Sequence, residues 1–343
     1  MTHRFPAAQP EAIAIGGYFE LELPRGNGEY HADALRFQSS RAALLALLQA
    51  RRPSAIWVPW YICDSVIEPL RMAGTSVKRY EIDRNLYAKC AHVAQDEWLL
   101  YVNYFGLCDR QVADVLRRFP HQRVVIDNAQ AFFAPPQQCL ANLYSPRKFI
   151  GVADGGYLIT REHVETPQEI DNGTLARSAH LLKRIGADAE SGYADYAAAE
   201  ESLKLQPPRR MSTFTQRILA SVDYEEIKTR RIANFEYLHS RLGRYNQFSL
   251  IRAEHAVPLC YPFSGAPAGL RAELQRQRIY TPSYWPDMDR PVDAMRENAT
   301  NSAPAMPEFE RSLPETTLFV PCDQRIDSEQ LERVAQCILE RLT

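Results

Sequence analysis

The sequence predicts an α/β protein: a mainly parallel, mixed sheet in a large domain, followed by a smaller α+β domain. Short apolar runs alternate with helical segments through roughly the first 160 residues. An acidic residue and a glycine pair stand at the ends of two of those runs. Beyond about residue 165 the pattern turns helix-rich. Strands alternating with helices of about ten to fifteen residues call for crossover connections, and hence for parallel strands with helices on both faces.

A strand-like stretch, GGYFELEL, comes first and is followed by a turn, PRGNGEYH. FQSSRAALLALLQAR is expected to be a helix with Ser39 or Ser40 at its N-cap and Ala42, Leu45 and Leu48 among its apolar positions. AIWVPW reads as a buried strand, CDSVIEPLRMAG as a helix ended by Gly74, and SVKRYEID as the next strand. WLLYVNYFG, DRQVADVLRRFP, RVVIDNAQ and YLIT continue as strand, helix, strand and strand. From Thr166 to Leu205 the chain reads as mostly helical, until Gln206-Pro207-Pro208 breaks it. One long helical pattern then runs from Ser212 to about Leu242. HAVPLCYPF gives short strands, AGLRAELQRQR a helix, and TLFVPCDQRIDSEQLERVAQCILERL a last strand and helix capped by Asp327 or Ser328. The expected division is residues 1–230 for the large domain and 231–343 for the small one, with the boundary inside the long helix near Arg230.

Composition excludes several classes. The 40 basic residues are matched by 42 acidic ones, so no positive excess exists to hold a nucleic-acid backbone. Arg209-Arg210 and Arg230-Arg231 read as local, solvated charges. The 7 cysteines are odd in number and widely scattered without a CxxC pair, which suggests neither a zinc site nor a disulfide framework. No stretch approaches the roughly 20 apolar residues of a membrane helix, and the N-terminus lacks a signal-peptide core. The expectation is a soluble cytoplasmic protein with neither a nucleic-acid nor a membrane partner.

Chemistry concentrates in three places. Asp127, in RVVIDNAQA, stands at the carboxyl end of an apolar strand, where open α/β sheets place their ligands. A carboxylate there needs a cation or strong hydrogen bonds, unless it only caps a turn. Lys148 lies in NLYSPRKFIGVADGGYLIT, between a short strand-like piece with a proline and the turn Asp154-Gly155-Gly156. A lone lysine is ordinarily a solvated surface residue. This one is followed by small and apolar residues, a glycine pair that permits close backbone approach, and it has Asp127 upstream. A pyridoxal 5′-phosphate (PLP) site needs a lysine amine for a Schiff base and a carboxylate for the ring nitrogen. The third place is the helix start around Ser39-Ser40-Arg41, suited to a phosphate as well as to a plain N-cap.

With these residues in order, the chain resembles the DegT/DnrJ/EryC1/StrS family of PLP-dependent sugar aminotransferases, which have fold type I. The resemblance is carried by Ser40-Arg41-Ala42-Ala43, Val58-Pro59 through Gly74 and SVKRYEID, Val102-Asn103-Tyr104-Phe105-Gly106, Asp127-Asn128-Ala129-Gln130, Leu143 through Lys148 to Asp154-Gly155-Gly156, Arg210-Met211-Ser212, and FVPCDQRIDSEQLERVAQCI. It implies that Lys148 forms the Schiff base and shuttles a proton, and that Asp127 pairs with the pyridine N–H. It also implies that Gln130 lies beside the ring and that Ser40 and Arg41 hold the phosphate, with Asn103 among the cofactor-binding residues. An aromatic residue covers the ring in the family; Cys63 aligns with it here and Tyr61 is two residues away. The family's phosphate-binding serine before the lysine is Leu143 in this chain, and its partner-reaching asparagine is Pro208; Arg209, Arg210 or Ser145 are candidates to replace them.

The implied activity is transfer of an amino group from an amino acid, glutamate first among candidates, to a keto sugar, most simply a nucleotide-linked one for a polysaccharide or glycosylated metabolite. The implied assembly is a homodimer with active sites at its interface. Tyr280, Tyr284 and Trp285, with Tyr18 and Phe19, are candidate lining for the sugar pocket or packing anchors. Two alternatives accompany this reading: another PLP reaction on a keto sugar or cyclitol, and a PLP-fold pseudoenzyme or regulatory subunit. Dehydratase members of the family carry histidine at the lysine position, which Lys148 argues against.

Overall fold

A computed structural model of the chain describes residues 15–90, 92–249, 252–286 and 305–342. The strands of the N-terminal part are β1 (Leu35–Phe37), β2 (Ala55–Pro59), β3 (Ser76–Tyr80), β4 (Glu97–Val102), β5 (Val124–Asn128), β6 (Ala141–Tyr144) and β7 (Gly156–Thr160). They form a 7-stranded sheet in the order β1-β7-β6-β5-β4-β2-β3. Strands β3, β2, β4, β5 and β6 are parallel, while β7 runs antiparallel to both β6 and β1. Every residue of β4, β5 and β6 is buried, whereas the edge strands β1 and β3 are partly open. Parallel strands covered on both faces read as continuous apolar runs, which is why EWLLYV and RVVIDN carried a clear strand signal.

Helices α1 (Ser40–Arg51), α2 (Asp64–Met72) and α3 (Asp109–Arg118) connect these strands, with α4 (Thr174–Arg177), α5 (Ala179–Gly186), α6 (Tyr193–Glu201) and α7 (Thr213–Ala220) following β7. Ser39 is the N-cap of α1, its hydroxyl accepting from the Ala42 N–H at 3.2 Å. The start of α1 lies against the turn before β7, where the Gly155 N–H donates to the Gln38 carbonyl at 2.7 Å. A Cβ on Gly156 would stand 2.1 Å from the Ser39 carbonyl carbon and 2.2 Å from the Ser40 nitrogen, so only glycine lets the two backbones meet. Asp154 is fully buried and braces the Ser212 N-cap of α7, accepting from the Ser212 N–H at 2.8 Å, the Ser212 hydroxyl at 2.9 Å, and the Thr215 hydroxyl. The Asp-Gly-Gly motif is therefore a junction of three backbone segments.

Helix α8 (Tyr224–Leu242) leads into β8 (Cys260–Ser264), α9 (Leu270–Arg276), α10 (Glu308–Thr316), β9 (Thr317–Pro321) and α11 (Ser328–Leu339). β8 and β9 pair antiparallel, and α11 packs on α8. Asp327 and Gln330 form a capping box at the start of α11. The division expected near Arg230 falls inside α8, and one apolar cluster runs through both regions. A second cluster, rich in aromatic rings, gathers Phe132, Phe133, Tyr144, Phe149 and Tyr157 behind the Lys148 turn.

Several local expectations are corrected. GGYFELEL forms no strand; Tyr18 and Phe19 are exposed, and no strand among the described residues completes its hydrogen bonds. The outer strand beside β7 is instead Leu35–Phe37. The long helix expected from Ser212 divides into α7 and α8 because Asp223 caps a new helix, accepting from the Glu226 N–H at 3.0 Å. Arg231 is not solvated: it is fully buried, donating to the carbonyls of Leu259 (3.1 Å), Pro258 (3.2 Å) and Phe149 (3.4 Å), and to Gln324 Oε1 at 2.9 Å. It thereby fastens the residue after Lys148 to the C-terminal region.

Candidate active site

The parallel strands bring their carboxyl ends to one edge of the sheet, and the chemistry lies there. Asp127, near the end of β5, is buried among apolar neighbours. One of its carboxylate oxygens accepts from the Ala129 N–H at 2.9 Å. Burial pushes its pKa upward, while the positive charge of Lys148 and the Ala129 hydrogen bond pull against that rise. A further cationic N–H at the carboxylate would complete what these two leave undone.

Lys148 closes the one-turn 3₁₀ segment Pro146–Lys148 that follows β6. The Phe149 and Ile150 N–H groups both donate to the Pro146 carbonyl at 2.9 Å, which fixes the turn. Its ammonium makes no hydrogen bond or ion pair among the described residues and opens onto the cavity that Asp127 also lines. Gln130 is buried in the same wall. Its Oε1 accepts from the Phe105 N–H at 2.9 Å, and its Nε2 has no partner. The donor Phe105 has φ 59, a left-handed backbone uncommon for a bulky residue.

This cavity measures about 120 Å³ and opens, past Ser145, Arg147, Lys148 and Glu200, into a cleft of about 540 Å³. Its far wall is the first turn of α1 with Ser39, Ser40 and Arg41, where a helix leaves amide N–H groups without helical partners. Cys63, the N-cap residue of α2, lines it too, its sulfur accepting from the Ser65 hydroxyl at 3.0 Å. Two ion pairs border it. Arg41 meets Glu68 at 3.0 Å, and Arg147 meets Glu200 of α6. No cluster of metal-ligating side chains occurs among the described residues.

Of the residues singled out from sequence, Lys148, Asp127, Gln130, Ser40, Arg41, Cys63 and Ser145 share this cavity. Tyr61 and Asn103 do not. Tyr61 is fully buried, its ring 4.6 Å from Trp285 and 5.7 Å from Tyr104, so Trp285 rather than Tyr61 reaches the cavity. Asn103 is turned away, donating to Asn128 Oδ1 at 3.0 Å and accepting from the Cys108 N–H at 3.1 Å. Arg209 and Arg210 stay outside, bonded to Glu169 and to the Gln168 carbonyl. Tyr280 and Tyr284 line the larger cleft. Arg147 and Glu200 were missed; the proximity of Arg147 to Lys148 was a signal, but nothing in the sequence points to Glu200.

No family model matches the chain, and no curated protein sequence does. Solved structures match most of its length. A DegT DnrJ EryC1 StrS aminotransferase from Brucella abortus shares 15% identity, with 90% of this chain and 85% of that one covered at a TM-score of 0.57. The sugar aminotransferase CalS13 from Micromonospora echinospora shares 16%, covering 90% and 87%, at 0.59. NtdA from Bacillus subtilis, solved with bound cofactor PMP, shares 13%, covering 90% and 73%, at 0.62. The fold is that of the sugar aminotransferases. Within this aminotransferase fold, Leu143 stands in register beside Asp127 and turns an apolar side chain to the cavity where the family resemblance implied a serine.

Proposed function

We propose that the chain is a PLP-dependent aminotransferase that moves an amino group from an amino acid, glutamate first, to the keto carbon of a nucleotide-linked sugar. The observation that carries the reading is the shared cavity of a buried carboxylate, Asp127, and an unpartnered lysine, Lys148. The residues present suit the cofactor: Asp127 wants a cationic N–H, the unpartnered Gln130 Nε2 wants an oxygen, and the α1 start, with the Ser40 hydroxyl and the backbone amide of Arg41, suits a phosphate beside Ser145. When bound, PLP supplies an electron sink for charge developing on the carbon that bears the amino group.

The remaining work falls to the chain. Asp127 would keep a proton on the ring nitrogen by its charge. With the cofactor bound, the Lys148 amine would hold it and would accept and return a proton at the reacting carbon. Cys63 and Trp285 border the space for the ring and shed water from it. The wider cleft past Lys148, with Tyr196, Tyr284 and Arg184 on its walls, is the space for donor and acceptor.

A homodimer belongs to the same reading. Leu175, Leu182, Ile185 and Tyr193 on α4–α6 are 63% to 85% exposed beside the cleft, an apolar surface that a second copy would cover. Among the described residues no helix is long and apolar enough to cross a membrane. A cytoplasmic site of action, where nucleotide sugars are handled, accompanies the proposal.

The test is spectroscopic. Protein reconstituted with PLP should show the absorbance of a lysine-bound cofactor, lose it with glutamate, and regain it with the right member of a panel of nucleotide keto-sugars. Lys148→Ala should abolish the starting band. A wild-type protein that never acquires the band, or a Lys148→Ala protein that keeps it, overturns the assignment.

A further inference from the structure

We propose that Arg147 is the side chain that holds the cofactor's phosphate in this chain, and that Glu200 neutralises it until the cofactor arrives. This rests on the PLP reading above and goes beyond it: Leu143, in register beside Asp127 in the cavity wall, has no side-chain donor to offer a phosphate. The neighbouring turn does. Arg147 is placed by the Pro146 carbonyl, which accepts from two successive N–H groups, so the guanidinium leaves a rigid turn. It lines both the cavity and the cleft. Its Nη2 meets Glu200, while its Nε is buried without a partner. A guanidinium offers five donors in a planar fork that matches phosphate oxygens, and only one of its nitrogens, Nη2, is engaged by Glu200.

Arg41 is the rival cation, and its surroundings set it apart. Its partner Glu68 has a side chain only 14% exposed, and the second Glu68 oxygen is taken by the Leu205 N–H at 2.5 Å. That pair is locked at both ends. The Glu200 side chain is 36% exposed on the last turn of α6, and its carboxylate makes no other hydrogen bond among the described residues. A partly exposed carboxylate holds an arginine weakly, so a phosphate dianion seated against the α1 start displaces it. Glu200 is thus the exchangeable partner.

Apoprotein titrated with PLP and, separately, with pyridoxal tests this, since pyridoxal keeps the aldehyde but lacks the phosphate. Arg147→Gln should weaken PLP by about tenfold or more, the scale of a lost charge-assisted hydrogen bond, and leave pyridoxal unchanged within about twofold. Arg147→Lys, which keeps charge without the fork, should fall between. Glu200→Gln should tighten PLP severalfold and leave pyridoxal alone. Equal weakening of both ligands in the Arg147 variants, or none, overturns the assignment while the PLP reading stands. Weaker PLP binding by Glu200→Gln overturns the displacement. A wild-type protein that binds neither ligand removes the PLP reading and this inference together.

Discussion

Asp127 and Lys148 line one cavity without forming an ion pair: no oxygen of the carboxylate comes within 4.0 Å of the ammonium. The positive charge of Lys148 still draws the Asp127 pKa down against the upward push of burial.

Asp127→Asn keeps the shape of the site and removes its negative charge. The lysine-bound absorbance band should persist, while the half-reaction with glutamate slows by about a hundredfold or more, the scale on which one preorganised electrostatic partner acts in an enclosed site. Single-turnover kinetics reads this directly. A near-normal rate with Asn would remove Asp127 from the chemistry.

Glu310 on α10 is fully buried and joins the C-terminal region to the sheet ends, accepting from the Tyr61 N–H at 2.8 Å and the Ile82 N–H at 3.0 Å. Burial raises its pKa from 4.5 to about 7 despite those bonds and nearby Arg79. A carboxyl whose pKa is higher folded than unfolded binds more protons in the native state, so its contribution falls as pH rises from about 4.5 to about 7. Urea unfolding of wild type and Glu310→Gln at pH 5 and pH 8 should therefore show the substitution less destabilising at the higher pH. The opposite ordering would mean that Glu310 stabilises as a carboxylate.

Arg231 satisfies the carbonyls of Phe149, Pro258 and Leu259 from one buried guanidinium, which stacks 4.6 Å from the Phe149 ring. Arg231→Met should cost about 3 kcal/mol or more through stranded acceptors, read as a lower denaturant midpoint. Arg231→Lys should recover little, because a point charge cannot reach what the fork reaches.

Gly156→Ala would drive a methyl into the Ser39 and Ser40 backbone at 2.1 and 2.2 Å. Displacement of the α1 start should lower both stability and PLP affinity. Gly151→Ala meets nothing nearer than Leu181 Cδ2 at 3.8 Å and should stay within about 0.5 kcal/mol of wild type. Calorimetry and PLP titration of the pair separate the two effects.

Much of this was legible because local chemistry writes it. Apolar runs marked β2, β4 and β5, Ser39 and Asp327 marked helix starts, and Asp127, Lys148 and the Asp154-Gly155-Gly156 turn stood in a recognisable order. β1 was not legible, since three residues at a sheet edge carry too little pattern, and the split between α7 and α8 hung on one capping aspartate.

By itself, then, the sequence determined the apolar strands β2, β4 and β5 and several helix starts, because those follow from patterns among near neighbours along the chain. Only the tertiary structure decided which side chains face the cavity. It turned Cys63 and Trp285 inward and Tyr61 and Asn103 away, set Glu200 against Arg147 from another helix, and buried Arg231 at the joint between regions. Those outcomes depend on groups distant in sequence competing for the same space and the same hydrogen bonds, and packing alone settles that competition.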